Sequence, residues 1–271
     1  MIDLYDMLFE VSNDIRHKIL ITLKEKSATV TSLSQRLDIS LTEASRHFNR
    51  LSQAGLIQKN PEGDFSITLM GKTVLSQVEP LSFVVEHSEY FKNHNATRIP
   101  TQFLNRLHEI REATPNYQKQ ANIMRLVEKI ERIPLEAEEF SFCILDNSSM
   151  ELVLYSEPEE DDQNTESIVE SISKGTISRA LFPSSLDTSR IPPDSMDAFT
   201  DLHKLENFEF RIIPQTDIFL YMNEKYAIIS FPDKNNTYNY LGFESTDQQT
   251  LNWCKDLFEY YWKTSKPFLT F

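Results

Sequence analysis

Thr42, Ser45, Arg46, His47, Asn49 and Arg50 fall within nine residues, in the phrase LTEASRHFNRLSQAGLI. These side chains carry the donors and acceptors that meet nucleic acid. An Arg fork matches O6 and N7 of guanine, Asn matches N6 and N7 of adenine, and hydroxyls and Arg also reach phosphate. Their spacing is helical. Ala44, Phe48 and Leu51 recur at i, i+4 and i+7 as one apolar stripe. Thr42, Arg46, Asn49, Arg50 and Gln53 then lie opposite, with Ser45 and His47 at the edges. Glu43 either accepts from cytosine N4 or favours the helix N-terminus. The same polar face also suits a protein partner or plain water, and these residues alone leave that open.

Such a face needs elements to present it. Leu33 and Leu37 predict a shorter preceding helix, capped at Thr31 or Ser32. Asp38-Ile39-Ser40 is long enough only for a tight turn, and Gly55 is placed to end the second helix. Two short helices joined by such a turn are the parts of a helix-turn-helix. Leu56-Ile57 and the alternating Phe65, Ile67 and Leu69 flank Pro61, Gly63 and Asp64, which predicts a two-stranded hairpin, or wing. Lys59 on that wing is expected to touch phosphate. Before these elements, Ile15, Ile19, Leu20 and Leu23 predict a core helix behind a Ser12-Asn13-Asp14 capping cluster. Leu4, Met7 and Leu8 predict a short amphipathic helix at residues 2–10.

Charge divides along the chain. The net charge is −14 over 271 residues. Residues 1–75 hold nine of the 27 Lys and Arg and nine of the 41 Asp and Glu, leaving 18 basic against 32 acidic residues beyond. The whole negative excess therefore lies outside the helix-turn-helix. An acidic body weakens non-specific phosphate binding, so modest affinity per subunit and dependence on a dimer are expected. No apolar run reaches the length of a bilayer span, and the acidic N-terminus is unlike a signal peptide. Cys143 and Cys254 have no metal spacing and suit a reducing cytoplasm; they are either structural thiols or redox sensors.

No catalytic set stands out. G-x-S-x-G, the P-loop, G-x-G-x-x-G and H-E-x-x-H are all missing, and the six His are scattered. The acidic run Glu157 to Glu166 lacks the ordered spacing of a calcium loop. The expectation is a protein that is not an enzyme and holds neither metal nor cofactor.

From Val74 to Ala113 the pattern is helical, with a break near Pro100. Phe103, Leu104, Leu107 and Ile110 predict a second helix there, which either pairs with its twin or packs on its own C-terminal domain. Beyond Pro115, helices (123–133, 168–177, 195–204, 247–264) alternate with strands (140–145, 151–155, 177–182, 208–213, 219–222, 226–231, 238–243), an α/β pattern with a late antiparallel meander. Tyr221, Tyr226 and Tyr240 with Trp253 are candidates for an aromatic effector pocket; as core and surface aromatics they serve equally well.

Several runs together resemble archaeal transcription regulators with an ArsR-like winged helix and a FilR1-type (methanogenesis/filament regulatory) C-terminal domain. They are Ser45-Arg46-His47-Phe48, Leu51 to Ile57, Thr68 with Gly71-Lys72, Glu89-Tyr90-Phe91, Ile99-Pro100, Phe103-Leu104, and Trp253 with Leu257 to Tyr261. The family often has Gly after the Trp, where this chain has Cys254. The resemblance implies a DNA-binding regulator with a sensing domain and no established ligand. Its sensing domain sometimes resembles half a phospholipase-D fold, but His203 and Lys204 are adjacent and do not make H-x-K-x4-D.

The expected organisation is thus two domains: a winged helix-turn-helix (1–75), a helical linker or dimerisation region (76–114) and an α/β effector-sensing domain (115–271). The expected function is sequence-specific regulation through double-stranded DNA by a cytoplasmic homodimer with a small-molecule effector and no membrane partner. The competing expectation is a winged-helix module that docks on transcription machinery without reading DNA.

Overall fold

The computed structural model describes residues 2–117, 123–147, 175–185 and 204–267. The expected strand 151–155, acidic run 157–166, most of the helices 168–177 and 195–204, and His203 lie outside them. The chain divides into two compact units, Met1–Phe83 and Val84–Phe271.

The first unit runs α1 (Leu4–Val11), α2 (Asp14–Glu25), α3 (Val30–Arg36), α4 (Leu41–Gln53), β1 (Ile57–Lys59) and β2 (Phe65–Ile67) into α5 (Leu69–Glu86). Side-chain oxygens start the helices, as orphan N–H groups require. Asn13 Oδ1 accepts from Arg16 N at 3.1 Å and Ser40 Oγ from Glu43 N at 3.2 Å. α3 begins earlier than expected: Thr29, in extended backbone, is its cap and accepts from Ser32 N at 3.0 Å. Asp38 makes the turn to α4 with φ of 53°, which a short polar side chain tolerates. Ile19, Leu20, Leu23, Leu33, Phe48, Leu51, Leu56, Ile67 and Leu75 form one core.

α1 departs from expectation. Met7 and Val11, four apart, face the core, while Leu4 and Leu8 are 66% and 48% exposed beside the exposed Tyr5 and Phe9. The apolar residues of α1 cover more of its circumference than one buried stripe, so four of the six stay outside.

β1 and β2 pair antiparallel, Ile57 opposite Ile67 and Lys59 opposite Phe65. A third segment joins them: Ala28 exchanges both backbone hydrogen bonds with Phe65, at 3.0 and 2.9 Å. Beyond the hairpin, Gly71 N–H donates to Thr68 Oγ1 at 2.9 Å, and that hydroxyl reaches Gly55 O at 2.7 Å. A Cβ on Gly71 would stand 2.1 Å from Leu56 O, so only glycine lets α5 pass the hairpin this closely.

The second unit is a mixed sheet in the order β10-β6-β5-β4-β7-β8-β9-β3. β3 is Thr114–Pro115, β4 Phe140–Ile144, β5 Ile177–Pro183, β6 Phe208–Ile213, β7 Phe219–Asn223, β8 Ala227–Ser230, β9 Phe243–Ser245 and β10 Lys266–Pro267. β4, β5 and β6 are parallel, and the other pairs are antiparallel. After α6 (Ser88–Phe91) and α7 (Thr101–Leu104), the remaining α-helices among the described residues are α8 (Ile123–Leu135) and α9 (Gln248–Thr264). Strand alternation sends Phe142 to one face, stacked on Phe258 of α9 at 4.4 Å. Cys143, Phe219, Tyr221 and Ile228 cluster with Ile130 and Ile133 of α8 on the other.

Two expected elements take other forms. The helix expected after Pro100 ends at Leu104 and gives way to a 3-10 turn, Leu107–Ile110. Leu107, Ile110 and Ala113 are all buried, a three-residue spacing that the tighter helix aligns. With Phe103 they belong to the core of this unit, so these side chains are spent on the chain's own domain. The strand expected at 238–243 is only Phe243–Ser245, because Asn236 and Tyr240 have φ of 62° and 57°, which breaks extended pairing.

Gly71→Ala is expected to destabilise the protein by about 1–3 kcal/mol, the usual cost of overpacking. Chemical denaturation of the full chain measures it; a loss below roughly 0.5 kcal/mol, an ordinary surface effect, contradicts the close approach.

Candidate nucleic-acid interface

The face expected to carry chemistry is built by what α4 buries. Ala44, His47, Phe48 and Leu51 are its buried residues, and Phe48 meets Phe65 of the hairpin edge-on at 4.8 Å. Thr42, Arg46 and Asn49 are exposed and Ser45 is half-buried. Arg46 and Asn49 have no hydrogen bond or ion pair among the described residues. Lys59 is exposed on β1, with its ammonium 6.0 Å from the Phe65 ring. Gly63, with φ of 96°, turns the hairpin, and Glu62 and Asp64 beside it make the tip acidic.

Two expected contact residues are placed otherwise. His47 is not at the edge of the exposed face: it is 5% exposed, Nδ1 has no hydrogen-bond partner, and Nε2 is 3.7 Å from Glu43. Its position three residues after Ala44 and four before Leu51 turns it inward with them. Arg50 is held by α1: Nε donates to Glu10 Oε2 at 3.0 Å, Nη2 donates to Glu10 Oε1, and the Phe9 ring lies 5.2 Å from Cζ. Arg16 of α2 completes the cluster. It is buried, pairs with Glu10 Oε2 at 3.1 Å, and donates to the α1 carbonyls of Glu10 and Phe9 at 2.6 and 2.7 Å. The Arg50 hydrogen bond holds the Glu10 carboxyl below its ordinary value.

Sequence reasoning missed Phe9, Glu10 and Arg16. A signal was present: Arg16, Leu20 and Leu23 share the i, i+4, i+7 spacing, and a cation on an apolar stripe requires an anion or carbonyls beside it.

The four effector candidates do not converge. Tyr221, Tyr226 and Tyr240 pack with the cluster on the α8 face. Trp253 of α9 is fully buried on the opposite side, edge-on to Phe103, with Nε1 donating to Phe103 O at 3.3 Å. Tyr226 Oη donates to Glu244, which also pairs with Lys129, and Tyr240 Oη donates to Asp146 Oδ1 at 3.3 Å. Burial pushes the Cys143 thiol up to about 12 and raises that of Cys254. Both shifts disfavour the thiolate that redox sensing uses. A groove of about 320 Å³ lies elsewhere in this unit, between Gln102, Phe103 and Arg106 and Asp256 to Lys263 of α9, and none of the four aromatics lines it. Among the described residues no group of three His, Cys, Asp or Glu is placed to hold a metal ion, and no helix is long and apolar enough to cross a membrane.

Residues 4–89 match the family model described as the HVO_A0261 N-terminal domain. Residues 163–264 match that of the middle domain of the methanogenesis regulatory protein FilR1. No curated protein matches. Among solved structures the chain is similar to TrmBL2, an archaeal chromatin protein described for its mode of DNA binding, at 12% identity over 98% of this chain and 100% of that one, with a TM-score of 0.40. It is also similar to the dimethyltransferase RosA of Streptomyces davawensis, at 12% identity over 76% of this chain and 63% of that one, TM-score 0.25. An O-methyltransferase family protein of Burkholderia thailandensis gives 11% identity over 79% and 65%, TM-score 0.23. At these scores the likeness decides neither fold equivalence nor function.

Burial, then the charges of Arg16 and Arg46, lower the His47 pKa from 6.5; Glu43 opposes them. Just below that ordinary value the unfolded chain binds the proton that the folded chain refuses, so stability rises with pH across the window and is complete above it. Unfolding free energy is therefore expected to fall as pH drops below 6.5, the ordinary value, and His47→Gln to flatten that fall. His87 is lowered as well, so the difference between parent and variant isolates His47. Identical pH slopes contradict the assignment.

Proposed function

We propose that this chain is a DNA-binding transcription regulator. The first unit acts as a winged helix-turn-helix, with α4 in the major groove and the β1–β2 hairpin as the wing. The observation that carries this reading is the division of α4: Ala44, Phe48 and Leu51 are buried, while Thr42, Arg46 and Asn49 stand exposed beyond them. A helix presenting Arg and Asn on one side fits base-edge recognition. The match of residues 163–264 to the middle domain of a regulatory protein supports it. So does the charge division, since the first 75 residues are neutral in a chain of −14 and do not repel a duplex as the remainder does. The reading uses Arg46, Asn49, Arg50, Thr42 and Ser45 in the groove and Lys59 at phosphate. It gives His47 a supporting role beneath the face.

The regulator works as a homodimer, so that two α4 helices meet two half-sites. Leu81 and Val85, one turn apart on α5, are 59% and 62% exposed and offer an apolar surface for a second copy. The second unit responds to a small molecule or a partner, and the chain is not an enzyme. Its place is the cytoplasm. The likeness to ArsR proteins remains one of phrase, in Ser45 to Phe48 and Leu51 to Ile57.

Arg46→Ala combined with Asn49→Ala is expected to weaken binding to a duplex selected from a random library by about 10-fold or more, from the usual 1–3 kcal/mol per base contact. The thermal midpoint should stay unchanged, since both side chains are exposed. Gel shifts across a salt series measure it. Undiminished retention of the selected duplex favours a protein-docking role for the same face.

A further inference from the structure

We propose that α1 takes part in base selection: Glu10 holds one edge of the Arg50 guanidinium so that its other edge faces guanine. This rests on the DNA-reading role of α4 given above.

A guanidinium presents five N–H groups in a rigid plane. Arg50 spends its side edge on Glu10, through Nε at 3.0 Å and through Nη2. The Phe9 ring, 5.2 Å from Cζ, borders it. The end edge, formed by Nη1 and the second hydrogen of Nη2, has no partner among the described residues. Those two N–H groups are parallel and match the O6 and N7 pair of guanine.

The clamp itself is anchored. The Glu10 side chain is 12% exposed against 40% for Arg50, so the carboxylate is the inner partner and the guanidinium the outer one. Arg16, 5% exposed, grips the same carboxylate at 3.1 Å and ties down the backbone carbonyls of Phe9 and Glu10. Arg50 is therefore ordered before any duplex arrives, which lowers the ordering cost of a bidentate contact.

The carboxylate also decides which acceptor is favoured. Placed beside the guanidinium, it offsets the positive field that a phosphate would feel, yet leaves the outer N–H dipoles intact. A neutral acceptor pair on a base loses little from that offset, whereas a phosphate loses much. Glu10 is thus a positioning residue and Arg50 the specificity residue it serves. The exposed apolar helix that precedes the helix-turn-helix becomes part of the reading head.

The test is selection from a random duplex library with the full-length protein and its Glu10→Gln and Arg50→Lys variants. Affinities are then measured for the winning duplex, the same duplex with its guanines exchanged singly, and an unrelated one. The parent should select a sequence containing at least one guanine that Glu10→Gln no longer distinguishes, a loss of about 10-fold in discrimination. Removal of a negative charge should at the same time tighten binding to the unrelated duplex. Arg50→Lys, which keeps the charge and loses the fork, should lose preference at the same position, and it carries the test alone if Glu10→Gln unfolds. Preference unchanged at every guanine in both variants overturns the inference. Equal tightening of all duplexes by Glu10→Gln overturns it too, because Glu10 would then only screen Arg50 from phosphate. So does uniform weakening of every duplex by Arg50→Lys with the salt slope unchanged, the mark of a phosphate contact whose charge the lysine retains. A parent protein that selects no sequence at all sinks the DNA-reading account beneath it, a result distinct from those three.

Discussion

Everything proposed for the first unit depends on which way α4 is rolled. Phe48 and Leu51 are 1% and 0% exposed, and burying a side chain of that size contributes about 1.5–3 kcal/mol. A half-turn would expose both and drive Arg46 and Asn49 into the core without partners, which is more costly still. The roll is also pinned from two sides. Phe65 of the hairpin packs edge-on against Phe48, and Glu10 of α1 grips Arg50. Apolar burial beneath and a salt bridge beside thus fix the polar face in one orientation, as a surface meant for rigid recognition needs.

The same unit carries an unusual density of internal charge. Arg16, Glu10 and Arg50 are linked where α1, α2 and α4 meet, with the buried His47 on the same helix as Arg50. A buried arginine is tolerable there because one carboxylate and two carbonyls lie against its guanidinium. Burial first, and then the charges of Arg16 and Arg46, lower the pKa of His47. The second unit has a different character. Its sheet is closed by stacked aromatics on the α9 side, Phe140 on Phe142 and Phe142 on Phe258, and Tyr238 and Tyr261 are bound to main chain and carboxylate, with Tyr238 Oη on Thr216 O and Tyr261 Oη on Asp217.

Much of this could be read from the sequence, and the reasons for the remainder are physical. The stripe of Ala44, Phe48 and Leu51, the tight turn at Asp38 to Ser40 and the hairpin about Gly63 follow local rules, in which neighbours a few residues apart decide the outcome. Among the described residues beyond Pro115, the strands at 140–144, 208–213 and 219–223 and the helix at 248–264 follow a local period as well. What escaped was non-local. The Glu10 to Arg50 clamp joins residues 40 apart, and no periodicity announces it. The pairing of Ala28 with Phe65 depends on where α3 lies, not on the type of residue at 28. His47 went inward because a helix buries a sector wider than a strict i, i+4, i+7 line. Trp253 and Tyr221 are both aromatic in sequence, yet strand alternation and the side on which α9 packs put them on opposite faces of the sheet.

The most direct measurement is an NMR titration of the isotope-labelled full-length protein with a duplex recovered by selection. The account predicts chemical-shift changes at the side-chain amide of Asn49, at the guanidinium of Arg46 and along the backbone of α4 and β1, with the sheet of the second unit unaffected at its buried strands. Saturable binding of that duplex with α4 silent, and the changes gathered on another surface, would contradict it.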